Sequence, residues 1–183
     1  MSEKRLLKEL RTISKELVQE DSSLALNGVL VLEPVSEGDL FEWRARIRGP
    51  EGSCYANGIW DLHITVPSNY PTAPPTFRFV MSSERNARLA SDSPTATRGR
   101  CLRMPHPNVN FETGEICLDI LQQMWTPAWS LSSSVVAIVM LLDSPEPLSP
   151  LNIDLANLLK SGDQKGYDDL VKYYIERFTI AES

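Results

Sequence analysis

Apolar positions Leu6, Leu10, Ile13 and Leu17 recur at helical spacing and predict an amphipathic first helix over residues 2–20. Ser2 is a suitable N-cap, and Glu3 suits the positive end of the helix dipole. Lys4, Arg5, Lys8, Arg11 and Lys15 give that helix a basic side, read either as a solvated face or as a docking surface. Three strand-like runs follow, over 29–35, 41–48 and 59–66. In the third, Trp60, Leu62, Ile64 and Val66 alternate with Asp61, His63 and Thr65, the period of a half-buried strand. Turn residues at Gly38-Asp39 and between Gly49 and Gly58 separate the runs, which predicts an antiparallel meander. A fourth run, 76–80, follows Pro67, Pro71, Pro74 and Pro75, prolines that forbid a helix and stiffen an extended loop into an edge strand.

Residues 82–103 break the pattern. Ser, Thr, Ala and Arg dominate and no period is visible, which predicts a flexible surface insertion. Cys101 falls inside it between Arg100 and Arg103, where nearby cations would lower a thiol pKa, although a surface thiol without a role is the plainer reading. Beyond it, Trp125-Thr126-Pro127-Ala128-Trp129 reads as a loop, and Ser130 or Ser132 as the cap of a helix reaching about residue 142. Pro145, Pro147 and Pro150 end that helix, and two more are predicted over 151–160 and 167–180. The order of helix, meander, loop and helices predicts an α+β fold in a single domain over residues 1–183, with a four-stranded antiparallel meander between an N-terminal helix and C-terminal helices.

Composition narrows the function. The chain of 183 residues is large enough for one buried core, and 42% hydrophobic with 23% charged residues is ordinary for a globular protein. A net charge of −6 argues against a dedicated nucleic-acid binder. Three irregularly spaced cysteines make no disulfide framework and suggest reduced thiols in the cytoplasm. No stretch approaches the roughly 18 apolar residues needed to cross a bilayer, the start resembles no secretory signal, and the last three residues are no peroxisomal import tripeptide. Membrane association, if any, is expected through a partner rather than by direct insertion.

Candidate chemistry sits between residues 106 and 121. One cysteine, Cys117, lies between Ile116 and Leu118, downstream of the rigid turn His106-Pro107-Asn108. A free thiol at its ordinary pKa is only a few per cent thiolate at neutral pH, yet that fraction is strongly nucleophilic. The sequence guarantees no base beside it. That suits thioester exchange, in which the acyl group arrives already activated. Pro107 restricts where the Asn108 carboxamide can point, and one well-placed amide donor is worth roughly 3 kcal/mol to an oxyanion. Asp119 could align or desolvate an incoming amine. Taken singly, each of these residues has a plainer reading: Cys117 as a small core hydrophobe, Asn108 as a turn residue, His106 as a polar loop residue.

Together, His106-Pro107-Asn108 and Gly114-x-Ile116-Cys117-Leu118-Asp119-Ile120-Leu121 strongly resemble the signature of ubiquitin-conjugating enzymes. Lys4-Arg5 and Lys8-Glu9-Leu10 resemble that family's first helix, Tyr70-Pro71 and Pro74-Pro75 its proline-rich loop, and Trp125-Thr126-Pro127-Ala128 its second ligase-facing loop. The resemblance implies that Cys117 carries the ubiquitin C-terminus as a thioester received, in an ATP-dependent pathway, from the ubiquitin-activating enzyme. It implies that Asn108 supports transfer and that His106 is structural, bonding the backbone around Asn108. Pro107 and Leu118 would frame the site, and Asp119 and Ser149 would flank the acceptor channel. Lys4, Arg5, Lys8, Thr72, Pro127 and Ala128 would meet the activating enzyme and a RING-type ligase. No cofactor or metal is implied.

Two departures stand out against the family pattern. Asn108 to Cys117 is one residue longer than usual, and Thr72 occupies a position where many members offer a large apolar contact to a ligase. The longer spacing, Trp129 and the Ser149-Pro150-Leu151-Asn152-Ile153-Asp154 stretch, with Gly162-Asp163 and the 167–174 segment, resemble the peroxisomal branch of the family. That resemblance implies tethering to the cytosolic face of peroxisomes by a membrane anchor protein, and the import receptor as substrate for recycling. The alternatives are an inactive ubiquitin-binding variant of the same fold, a general cytosolic ubiquitin-conjugating enzyme, or a cysteine hydrolase using His63 or His106 as base.

Overall fold

The structure, a computed structural model, describes residues 2–81, 99–117 and 125–181. Helix α1 (Ser2–Glu16) and the short α2 (Ser23–Leu26) lead into strands β1 (Val29–Ser36), β2 (Asp39–Arg48), β3 (Ile59–Thr65) and β4 (Thr76–Phe79). These form one antiparallel sheet in the order β1-β2-β3-β4, the meander that alternation and turn chemistry predict. Register follows the hydrophobic faces: Ala45 pairs with Leu32 and with Leu62, and Leu62 with Phe79. A slip of one residue would turn Trp43, Ile47, Trp60 and Ile64, all fully buried, out to water. Each such side chain contributes about 2 kcal/mol on burial, so the register is strongly fixed.

Helix α3 (Leu131–Asp143) covers the inner face of the sheet with Val135, Ile138 and Leu142 in the same core as Leu6 and Ile13 of α1. Ser130 caps it reciprocally: its hydroxyl accepts from the Ser133 N–H, and the Ser133 hydroxyl accepts from the Ser130 N–H. Helices α4 (Ile153–Lys160) and α5 (Gln164–Phe178) follow, capped by the side chains of Asn152 and Asp163. The outer face of the sheet is polar, with Arg44 paired to Glu33, Arg46 to Asp61 at 2.7 Å and His63 to Glu42 at 2.9 Å.

Several details differ from the expectation. Helix α1 stops at Glu16 rather than residue 20. Ser2 lies within its first turn, and the Ser2 hydroxyl donates to the Ser68 carbonyl at 2.6 Å, tying the helix to the loop after β3 instead of capping it. A second, two-stranded sheet of β5 (Gly99–Cys101) and β6 (Thr179–Ala181) has no local signature, because it joins segments about 80 residues apart. It also revises the 82–103 insertion at its far end. Residues 101–103 are buried, with Cys101 only 2% exposed and its thiol pushed up to about 11, chiefly by burial, the reverse of activation by neighbouring arginines. The Arg103 side chain points inward, donating to the Phe111 carbonyl at 2.8 Å and stacking near the Phe111 and Phe178 rings. Residues 82–98 lie outside the described residues. Among the described residues no helix is long and apolar enough to cross a membrane.

Candidate active site

The site is built on residues 104–117, which run from the core to the rim of the sheet. His106 is fully buried. Its Nδ1 accepts the Asn108 N–H at 3.1 Å, which leaves the proton on Nε2, facing the Leu141 carbonyl at 3.0 Å. Burial pushes its pKa down to about 4, only partly offset by the hydrogen bond to Leu141. A neutral imidazole with both nitrogens occupied by backbone is a brace between the turn and α3, and has no lone pair to offer as a base. The Pro107 carbonyl accepts from the N–H groups of Leu151 (2.8 Å) and Asn152 (2.9 Å), fastening the start of α4 to the same turn.

Asn108 joins two walls. Its carbonyl accepts the Cys117 N–H at 2.8 Å. The Asn108 carboxamide, fully buried, reaches the loop between α3 and α4: Nδ2 donates to the carbonyls of Glu146 (2.7 Å) and Ser149 (3.0 Å), and Oδ1 accepts the Glu146 N–H at 2.8 Å. Both amide hydrogens thus have partners, and in this conformation neither points at an oxyanion on Cys117, contrary to the sequence expectation. Ser149 enters the site through its main-chain carbonyl.

Between Asn108 and Cys117 the chain turns back on itself. Val109 bridges Ile116, and the Asn110 side chain accepts from the N–H groups of Glu112 and Thr113. Gly114 is required at the corner. Its φ of +76° is left-handed, and a Cβ there would sit 2.1 Å from the Phe79 carbonyl oxygen. Across this turn the Cys117 N–H reaches the Asn108 carbonyl. The turn is pinned to the edge strand, with the Phe79 N–H donating to the Gly114 carbonyl at 2.8 Å and Arg78 bridging Glu115.

Cys117, 9% exposed and with a free thiol, lines a cleft of about 600 Å³ together with His63, Thr65, Thr76, Phe77, Arg78, Glu115, Ile116 and Leu151. The cysteine, though largely buried, therefore faces a cleft. Leu118 and Asp119 lie outside the described residues. Among the described residues no group of His, Cys, Asp and Glu side chains is arranged to hold a metal ion.

The docking residues divide. Lys4, Lys8, Thr72, Pro127 and Ala128 are exposed. Arg5 is instead half-buried: Nε pairs with Glu9 at 2.5 Å and Nη2 donates to the Trp129 carbonyl at 2.8 Å. Glu9 was not singled out by sequence reasoning, although it occupies the apolar stripe of α1 between Leu6 and Ile13, a visible sign that it faces inward. One Glu9 oxygen accepts from the Tyr70 hydroxyl at 2.7 Å and the other from the Leu131 N–H at 2.8 Å. The Trp125 indole donates to the Pro71 carbonyl at 3.0 Å. One buried carboxylate and one indole thus hold α1, the proline-rich loop, the 125–129 loop and the start of α3 as a unit.

Comparison with known proteins places this geometry. The ubiquitin-conjugating enzyme family matches residues 5–175. The chain belongs to the ubiquitin-conjugating enzyme family. It is a transferase of the E2 type. It is 53% identical over 183 residues to a ubiquitin-conjugating enzyme E2-21 kDa of Pichia angusta, covering 100% of this chain and 97% of that one. It is 49% identical over 196 residues to the E2 ubiquitin-conjugating enzyme PEX4 of Komagataella phaffii, covering 99% and 96%. A solved structure of the H. polymorpha ubiquitin-conjugating enzyme Pex4p, in complex with the soluble domain of Pex22p, superposes with a TM-score of 0.90 at 53% identity, covering 98% of each chain. The enzyme therefore has the α+β fold of its family, and its relatives include enzymes with peroxin names.

Proposed function

We propose that this ubiquitin-conjugating enzyme accepts ubiquitin from the activating enzyme as a thioester on Cys117 and passes it to a protein acceptor. The observation that carries the reading is that Cys117 lines a cleft, with its N–H tied to the carbonyl of Asn108. The Cys117 thiolate attacks the activated carbonyl at the ubiquitin C-terminus, and the sulfur of the activating enzyme leaves. An acceptor nucleophile then attacks the same carbonyl, and the Cys117 sulfur leaves. His106 supports this structurally, as do Pro107 and Asn108, by holding the 146–152 segment against the cysteine turn. Direct stabilisation of the oxyanion by Asn108 requires one amide hydrogen to leave its carbonyl partner, of which Ser149 at 3.0 Å is the longer. The Ser149 segment flanks the acceptor's approach, and family resemblance alone assigns Asp119 to the acceptor channel and Leu118 to the frame of the site, both outside the described residues. Lys4, Lys8, Thr72, Pro127 and Ala128 form the surface for the activating enzyme and a RING-type ligase, with Arg5 shaping it from beneath.

The peroxisomal role rests on the relatives named PEX4 and on the Pex4p relative solved with Pex22p. By that likeness the chain works at the cytosolic face of the peroxisomal membrane, held by an anchor of the Pex22p type, with the cycling import receptor as acceptor. Two experiments test the reading. Ubiquitin, ATP and an activating enzyme are expected to produce a ubiquitin adduct that thiol reductant removes, and no adduct would refute it. The soluble part of a Pex22p-type anchor is expected to co-purify with the chain, and its failure to bind would remove the peroxisomal assignment alone.

A further inference from the structure

The cleft beside Cys117 has a charge pattern of its own. Alternation along β3 and β4 sends His63, Thr65, Thr76 and Arg78 to the outer face while Phe77 and Phe79 turn inward. Register sets Arg78 opposite His63 on one side, and a bridge sets it opposite Glu115 on the other. Glu115 is two residues from Cys117, so the row leads from the reacting sulfur out across the sheet. The neighbouring outer-face cations have carboxylate partners, Arg44 with Glu33 and Arg46 with Asp61. Glu42 is held by His63. Among the described residues, no carboxylate pairs with Arg78, which is exposed and lines the cleft. Leu151, 41% exposed, adds an apolar side chain to the lining.

We propose that this cleft is an acceptor-reading site: Arg78 pairs with an acidic side chain flanking the acceptor's nucleophile, while Glu115, nearer Cys117, favours an amine there. The inference rests on Cys117 being the ubiquitin carrier. About 600 Å³ accommodates a few side chains of an extended segment. Charge complementarity selects its chemistry, because on a chain with net charge −6 an arginine with no carboxylate partner among the described residues, lining the same cleft as the nucleophile, is a local attraction for carboxylates that the rest of the surface repels. In the transfer itself the lysine nitrogen bonds to the ubiquitin carbonyl carbon, the carbon–sulfur bond breaks, Cys117 departs as thiolate, and the amine loses its proton to water. Arg78 takes no part in those bonds. It sets which segments dwell in the cleft.

The test uses the full chain loaded with ubiquitin and a series of short peptides, each with one lysine and a Glu, Gln or Lys placed one to four residues away. At low salt the best Glu peptide should discharge the thioester about fivefold faster than its Gln counterpart, the worth of one exposed ion pair near 1 kcal/mol. The Lys peptide should be slowest, and added salt should shrink the spread. Arg78→Glu should invert the order and Arg78→Lys should preserve it. Because the readout is a ratio between peptides, it is independent of how well each variant loads. Equal rates for the Glu and Gln peptides, or a preference for Glu that survives Arg78→Glu, would overturn the proposal and leave the carrier reading intact. A chain that does not load at all would overturn both.

Discussion

The N–H of Cys117 donates to the carbonyl of Asn108 at 2.8 Å, so the nucleophile and the His106-Pro107-Asn108 turn nine residues earlier are joined by main chain, not by a side chain. The Asn108 carboxamide faces the other way, toward Glu146 and Ser149. Asn108 is therefore a two-sided joint, and the account of transfer has to begin from that.

Asn108→Ala removes three hydrogen bonds from a buried position. Loss of stability of about 2 kcal/mol is expected in denaturant titration, because the carbonyls of Glu146 and Ser149 lie in a partly exposed loop and regain water in part. Discharge to lysine should slow while loading on Cys117 persists. An Ala variant as stable as the parent would show that these bonds contribute nothing, and would shift the whole effect to the transition state.

His106 carries a pH signature. Its pKa is about 4 in the fold against an ordinary 6.5, so between those values the unfolded chain binds more protons than the native one. Its stabilising contribution is fully present above about pH 6.5 and declines as pH falls toward 4, by an amount on the order of 3 kcal/mol. His106→Gln should be less stable at neutral pH and flatter between pH 4 and 6.5. A variant with the same slope as the parent would assign that slope to other groups.

Glu9 joins α1 to the proline-rich loop and to α3. In Glu9→Ala the Leu131 N–H and the Tyr70 hydroxyl lose their acceptor and Arg5 loses its carboxylate partner, which should destabilise the fold by about 2 kcal/mol. Ligase-stimulated discharge should fall more than unassisted discharge, since the surface the loops present is disturbed while the cysteine turn is not. Equal losses in both assays would show that Glu9 supports the fold alone.

Thr72 is exposed, as are Pro127 and Ala128, and the bond from the Trp125 indole to the Pro71 carbonyl joins their two loops. Thr72→Leu adds apolar area that a RING-type ligase can cover, and should raise ligase-stimulated discharge several-fold, in line with about 1 kcal/mol for the added methyl groups. An unchanged or lower stimulation would place the ligase elsewhere.

Local pattern carried the sheet well and the caps in part. Alternation in Trp60-to-Thr65 set which face is buried, and of the two serines offered as caps, Ser130 and Ser132, Ser130 is the N-cap of α3, whereas Ser2 bonds to Ser68 instead of capping α1. The His106-to-Cys117 stretch was legible as a site because its parts are close in the chain. Long-range partnerships were not. Cys101 looked exposed because its burial depends on β6, at the far end of the chain. The orientation of the Asn108 carboxamide depends on Glu146 and Ser149, about forty residues on. Arg5 read as a docking cation although Glu9 stands four residues on in the same helix, because its other partner, the Trp129 carbonyl, lies 124 residues away in the chain.

Everything about transfer depends on a covalent bond at one sulfur, and intact mass spectrometry of the chain after incubation with ubiquitin, ATP and activating enzyme reads that bond directly. The expected result is one added ubiquitin, removed by thiol reductant in the parent, resistant to reductant in Cys117→Ser, where an oxygen ester replaces the thioester, and absent in Cys117→Ala. A reductant-labile adduct that persists in Cys117→Ala would place the acyl group on Cys54 or Cys101 and contradict the account.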